Sequence, residues 1–415
     1  MTSPPHPAGR HRAVVTGIGV RTPAGNTLDE VLATVMAATP TAAPVGELIE
    51  RGAPVRFACR VPDFDLAPHL SRRELRQIDR GTMLTLCAAA DALRDAALPK
   101  LPPERVGVHL GTGIGGLPTM EATALHHGAD PMGMPVHTVP RAMANSAAAH
   151  IAMRYGFLGS CLTHTTACAS GANAIGEALR RIRHGELDAV VTGGFDAAIT
   201  PIMISSFARM RALSLRNDAP GEASRPFDAD RDGFVMGEGA ALLVLERRES
   251  ALARGARIHG EVAGYATNSD AFHIAAPHPE GAAAAACMAG AVADAGLRPG
   301  DIGHINAHGT ATRLNDSAEA LALHRAFAGG PPPVTSVKGV TGHLIGGSGA
   351  LEAAVALVCA ARRTVPPVAN LARNAHADLI DVVAGAPREV ALAPVLSNSF
   401  GFGGQNACLV LTPGH

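Results

Sequence analysis

The sequence predicts an α/β fold. Two patterns carry that expectation. Short β-branched runs alternate with longer Ala/Leu stretches at helical spacing, and most of the runs end in Gly-rich turns. In chain order the strand-like runs are RAVVTGIGV at 12–20, RVGVHLGTG at 105–113, LDAVVTGGFDAA at 187–198, GAALLVLE at 239–246, IGHINAHGT at 302–310 and CLVLTP at 408–413. Their near-continuous apolar character is that of strands buried on both faces, so mainly parallel, helix-covered sheets are expected. The helical patterns between them include GTMLTLCAAADALRDAAL at 81–98, SGANAIGEALRRIRHG at 170–185 and GALEAAVALVCAARR at 349–363.

A chain of 415 residues suits two domains or one large duplicated unit. Hydrophobic residues make up 47% and aromatics only 3%, so the core must rest on Ala, Val, Leu and Ile. Glycines would then permit close approach between elements. Residues 1–11 are polar and Pro-rich and read as a flexible start without the apolar core of a secretory signal. ACASGANAIGEAL and GHLIGGSGALEAAVAL each open an Ala-rich helix from a Gly-flanked motif, a hint of duplication. The expected halves are 12–255 and 256–415, with ERRESALARGARI at 246–258 a helix crossing between them.

Composition also narrows function. A formal net charge of −1 offers no global attraction for nucleic acid or anionic membranes. The longest uncharged Ala-rich stretch, 281–293, falls short of the roughly 20 apolar residues that span a bilayer. Seven scattered cysteines without a CxxC pair point away from a disulfide framework or a zinc site. A cytoplasmic protein with mostly buried thiols and no metal is expected.

Three segments hold candidate chemistry. In THTTACASGANAIGEAL, Cys168 lies between a strand end and a helix starting near Ser170. The helix dipole and the free N–H groups of its first turn would favour a thiolate there and could hold an oxyanion. Most buried cysteines are inert, and Cys87, Cys287 and Cys359 in helical patterns fit that description. In INAHGTATRLNDSAEA, His308 ends a strand, with Asp316 and Glu319 following. In TSVKGVTGHLIGGSGALEAA, His343 precedes a helix, with Lys338 and Glu352 close in sequence. A thiol that takes an acyl group and two neutral imidazoles that stabilise an enolate are what decarboxylative thioester condensation needs. A rival is a nucleotide-dependent oxidoreductase, because Gly111, Gly113 and Gly116 satisfy GxGxxG. No strand-end acid for a ribose follows at the required distance.

TACASG, NAHGTAT and KGVTGHLIGGSGALE, in that order, resemble the β-ketoacyl-acyl carrier protein synthases, especially the type II elongating branch. SRPFDADRDGFVMGEGAALLVLE and NSDAFH extend the likeness, which runs from VVTGIGVRTPAGN to SNSFGFGGQNACLVL. The resemblance implies a thiolase-type fold, two related halves in a five-layered α-β-α-β-α core, and a dimer. It implies a 3-oxoacyl-[acyl-carrier-protein] synthase of fatty-acid or polyketide elongation, without a cofactor, its substrates carried on the phosphopantetheine of acyl carrier protein. Position by position it makes Cys168 the acylated nucleophile and His308 and His343 the histidine pair, backed by Lys338 and Glu352. Oxyanion N–H groups would come from Cys168 and Phe402. Phe402 also matches the gate of the acyl pocket and Ile114 its lining, while Thr310 and Thr312 match phosphopantetheine contacts. Arg73 and Arg76 in SRRELRQID, and Arg211 in RMRALS, match carrier-protein docking positions, although solvated arginines would look the same.

Relatives of other branches use Cys-His-Asn, a second cysteine, or a nucleophile replaced by Gln. The intact trio here argues against a purely non-catalytic subunit, but leaves open a homodimer or a heterodimer with a chain-length-factor-like homologue. Departures from the pattern are Gly159-Ser160 for Gly-Pro, Gln405 for Thr, HGTAT for HGTGT or HGTST, and HHGADPMGMPVHTVP without its usual basic pair.

Overall fold

The computed structural model describes residues 11–328 and 330–414. Ten strands form one sheet system: β1 Ala13–Arg21, β2 Val106–Gly111, β3 Cys161–His164, β4 Ala189–Asp196, β5 Gly239–Arg247, β6 Gly260–Ser269, β7 His304–Asn306, β8 Val334–Thr335, β9 Val395–Gly401 and β10 Gln405–Pro413. Six helices matter to the architecture: α1 Arg80–Ala96, α2 Ser146–Tyr155, α3 Ser170–Arg183, α4 Ala282–Asp294, α5 Arg313–Ala326 and α6 Ser348–Ala361. The strand order is β8-β7-β9-β10-β6-β1-β5-β4-β2-β3.

This order is a repeat. Each half runs strand, helix, strand, helix, strand, helix, then two strands. In the first, β1 pairs antiparallel with β5, β5 antiparallel with β4, and β2 parallel with both β4 and β3. In the second, β6, β10, β9, β7 and β8 repeat those relations. The halves join where Ala13–Val15 of β1 meets Gly260–Val262 of β6. The expectation of mainly parallel sheets is corrected. Five neighbouring pairs are antiparallel and four parallel, because the last strand of each half returns beside its first.

The layers follow from burial. Helices α3 and α6 lie between the two sheets and touch both, while α1 and α2 cover the outside of one and α4 and α5 the other. That makes five layers, α-β-α-β-α. A helix apolar on every side must be enclosed, and α6, SGALEAAVALVCAA, is buried along nearly its whole length. The two central helices approach closely through small residues. A Cβ on Gly171 would come within 2.6 Å of the Gly346 carbonyl oxygen, and one on Gly349 within 3.0 Å of the Ala172 nitrogen.

Two local expectations change. The crossing element at 246–258 is only a six-residue helix, Arg248–Ala253, and it packs back on β1 and β5. Of the expected flexible start, residues 1–10 lie outside the described residues, and the His11 N–H donates to the Arg183 carbonyl at 3.3 Å. Among the described residues no helix is long and apolar enough to cross a membrane.

Candidate active site

Corresponding loops of the two halves build the site. Cys168 occupies a single 3-10 turn, Ala167–Ala169, between β3 and α3. His343 lies in the corresponding loop between β8 and α6, its N–H donating to the Val235 carbonyl at 2.8 Å. His308 lies just beyond β7. Cys168 Sγ and one ring nitrogen from each histidine all lie within 4.8 Å of one another. The imidazoles meet edge to face with centroids 5.4 Å apart.

All three turns carry a non-glycine residue in the left-handed region: Ala167 at φ 50°, Ala311 at 66° and Ile345 at 50°. Such conformations cost of order 1–3 kcal/mol each and persist only where packing holds them. The close fit is visible at Gly401, where a Cβ would lie 2.7 Å from the Thr166 carbonyl oxygen and 3.0 Å from the Cys168 nitrogen. Only a residue without a side chain lets the end of β9 reach the nucleophile turn.

Burial governs the electrostatics. It pushes the Cys168 thiol up to about 12, against the pull of Lys338 and of the backbone N–H groups of Phe402 and of Cys168 itself. The expected resting thiolate is therefore corrected to a thiol, because desolvation outweighs the helix start. Both N–H groups expected to form the oxyanion hole are thus aimed at the sulfur. Burial also holds His308 and His343 well below the usual histidine range, reinforced by Lys338, so both rings rest neutral.

Lys338 ion-pairs with Glu352 and donates to the His308 carbonyl at 2.6 Å. Its Nζ also lies 3.4 Å from His308 Nδ1. An ammonium has no lone pair to offer, so His308 Nδ1 accepts and Nε2 carries the proton. Glu319 takes the backbone N–H groups of His308 and Gly309, both at 2.8 Å, and fixes the His308 turn. Burial raises its carboxyl to about 7 despite those bonds.

A cavity of about 520 Å³ opens over the trio. Ile114, Phe207 and Phe402 line it with Thr310 and Thr312, and Arg211, exposed, lies on its solvent side. The Thr310 and Thr312 hydroxyls are 2.9 Å apart, and Thr312 also caps α5. Arg73 and Arg76 are exposed but do not line the cavity. The segment that carries them is a four-residue helix, Arg72–Leu75, closed by a Ser71/Glu74 capping box.

Asp196, at the end of β4, escaped the sequence reading. Its buried carboxylate takes the Thr112 hydroxyl at 2.6 Å and the N–H groups of Gly113, Ile114 and Gly346. It therefore ties the Ile114 loop to the turn after His343. Those N–H groups are the ones a dinucleotide phosphate would need from GTGIGG, so the oxidoreductase reading falls. The only sequence signal was an acid closing an apolar strand in VVTGGFD. Phe400, whose ring lies 5.9 Å from that of His308, was missed as well. Ser160, where proline was expected, lies with its hydroxyl 2.9 Å from the buried His109 ring.

Residues 10–251 match the family model described as "Beta-ketoacyl synthase, N-terminal domain" and residues 259–372 the corresponding C-terminal domain. The chain belongs to the β-ketoacyl synthase family, a family of acyltransferases. It is 43% identical over 407 residues to a "3-oxoacyl-[acyl-carrier-protein] synthase 2" of Synechocystis sp., covering 96% of this chain and 97% of that one. A solved complex of a type II polyketide acyl-carrier protein with its hexaketide-bound ketosynthase matches at TM-score 0.90 and 29% identity. It covers 98% of this chain and all of that one. The ishigamide ketosynthase/chain length factor matches at TM-score 0.88 and 34% identity, with the same coverage.

Proposed function

We propose that the chain is a 3-oxoacyl-[acyl-carrier-protein] synthase that extends a Cys168-bound acyl chain by decarboxylative condensation with a malonyl thioester. The observation that carries this reading is the convergence of Cys168 and two neutral imidazoles within 4.8 Å beneath the cavity. Cys168 attacks an acyl thioester, and its proton leaves with the departing thiol. The developing oxyanion sits against the N–H groups of Cys168 and Phe402. A malonyl thioester then binds with its carbonyl oxygen toward the histidines. Carbon dioxide departs, and the electron pair of the broken bond becomes an enolate held by N–H donors. The enolate carbon attacks the Cys168 thioester and the C–S bond breaks, giving a 3-oxoacyl thioester and the Cys168 thiolate, which a proton from solvent returns to the thiol. Decarboxylation itself supplies the carbanion, so no metal or redox cofactor has a role. Activity should survive exhaustive dialysis against chelator.

Cys168→Ala should abolish both the acyl adduct seen by intact-protein mass spectrometry and the extended product. If it extends acyl chains at the wild-type rate, the reading fails. Arg73, Arg76 and Arg211 are offered as the docking surface for acyl carrier protein. Arg73→Glu with Arg211→Glu should weaken carrier binding at least tenfold, and unchanged affinity would remove them from the interface.

The functional unit is read as a homodimer, with a heterodimer containing a chain-length-factor-like homologue as the second reading. The support is β3, the terminal strand of the sheet, which pairs only with β2 among the described residues. Around it Met153, Leu158 and Leu162 are exposed, an unusual set for a surface facing water. A cytoplasmic location accords with seven cysteines that are all free.

A further inference from the structure

We infer that Ser348 is a positioning residue that fixes the tautomer of His343, its hydroxyl donating to Nδ1 so that Nε2–H faces the reacting carbonyl. The inference rests on the condensing reading of the site and deepens it.

Two hydrogen bonds carry it. Ser348 Oγ lies 2.9 Å from His343 Nδ1, with both side chains buried. The same oxygen accepts the Leu344 N–H, also at 2.9 Å. A serine hydroxyl has one proton and two lone pairs. With a lone pair engaged by Leu344, the hydroxyl proton has His343 Nδ1 as its partner, since no other acceptor lies within hydrogen-bonding distance among the described residues. Nδ1 therefore accepts, and in the neutral ring the proton must sit on Nε2. His343 Nε2 is buried and has no partner among the described residues. An unpartnered buried donor is costly unless a ligand completes it.

Position makes the arrangement firm. Ser348 is the first residue of α6, and its bond to Leu344 closes the turn that carries His343. Phe234 also meets the ring, edge to face at 5.3 Å. His308 reaches the same protonation pattern through Lys338, so the two imidazoles present matched donors by different means. Lysine sets this tautomer at His308 and serine sets it at His343.

The test compares Ser348→Ala and Ser348→Thr with wild type in two half-reactions. Ser348→Ala should slow malonyl-carrier decarboxylation about tenfold or more, while acylation of Cys168 stays within about threefold. Ser348→Thr, which keeps the hydroxyl, should recover most of the loss. Equal loss in both half-reactions without recovery by threonine means that Ser348 serves only the fold, and the inference falls. Unchanged decarboxylation in Ser348→Ala overturns it too. If Ser348→Ala does not fold, ¹⁵N-histidine NMR of the wild-type protein decides, with the His343 signal assigned by its loss in His343→Asn. A pyridine-type Nδ1 with a pyrrole-type Nε2 supports the inference, and a protonated Nδ1 refutes it. The spectrum does not depend on condensation. A wild-type protein that decarboxylates nothing would sink the proposed function and leave the tautomer question answerable.

Discussion

Lys338 shows how much a single buried group carries. It is 1% exposed, ion-paired to Glu352 and bonded to the His308 turn. Removing one partner of a buried pair strands the other, at a cost near 3–5 kcal/mol. Burial already raises the Glu352 carboxyl, so protonation relieves part of that loss. Lys338→Met should therefore destabilise the fold by about 3 kcal/mol in urea unfolding. It should also lower decarboxylation, since His308 Nδ1 loses its donor.

His304, on β7, gives a pH signature. Burial lowers it to about 4. Between about 4 and 6.5 the unfolded chain binds a proton that the folded chain refuses, so stability rises with pH through that window and levels off above it. From pH 7 to pH 5 the loss should be about 2 kcal/mol. His304→Gln should remove that part of the slope, as denaturant midpoints at the two pH values would show. Burial raises Glu319 to about 7 and Asp196 to about 6, so these two slope the opposite way. The mutant difference, not the wild-type curve, is the measurement.

At the scale of elements, the decisive contacts are backbone to backbone. Gly349→Val would drive a side chain toward Ala172 and the Ser399 hydroxyl, where a Cβ already falls at 2.7 Å. It should separate α3 from α6 and lower the melting temperature by several degrees, with activity lost as the helices part. Gly401→Ala acts more locally, because its Cβ would press on the Thr166 carbonyl and the Cys168 nitrogen. Acylation of Cys168 should fall at least tenfold with little change in melting temperature. Equal activity would mean that the turn adapts. The elements themselves were legible: VVTGGFD and GAALLVLE read as strands, and ACASGANAIGEAL as a helix behind the nucleophile. Strand direction was not. A strand buried on both faces is apolar throughout whichever way it runs, so β5 and β10 gave no sign of being antiparallel.

For the whole molecule, the repeated topology explains why the proposed catalytic groups come from distant parts of the chain. Cys168 precedes α3 and His343 precedes α6, in corresponding loops of the two halves. The GTGIGG loop after β2 and the AHGTAT loop after β7 are likewise counterparts. One architectural unit, used twice and packed face to face, places both sets of loops around one cavity. At one end of the sheet, β3 pairs only with β2 among the described residues. Leu162→Asp, on that strand, should convert a dimer to monomer in light scattering at micromolar concentration, because a buried carboxylate at a paired edge would be unpaired. A variant that stays dimeric would move the interface elsewhere.

Cys168, His308, His343, Lys338 and Glu352 were identifiable from the chain alone, because their motifs combine a reactive residue with the small residues that let substrate and backbone approach. The alternation of strands and helices came from periodicity in the same way. Only the folded chain decided the protonation of the site. Burial turns the Cys168 thiolate expected from a helix start into a thiol, and the neighbours of each ring, Lys338 for His308 and Ser348 for His343, lie far apart in sequence or look unremarkable in it. Asp196 stands for the same limit: a carboxylate that joins two loops has no local signature, because its partners meet only when the two halves close together.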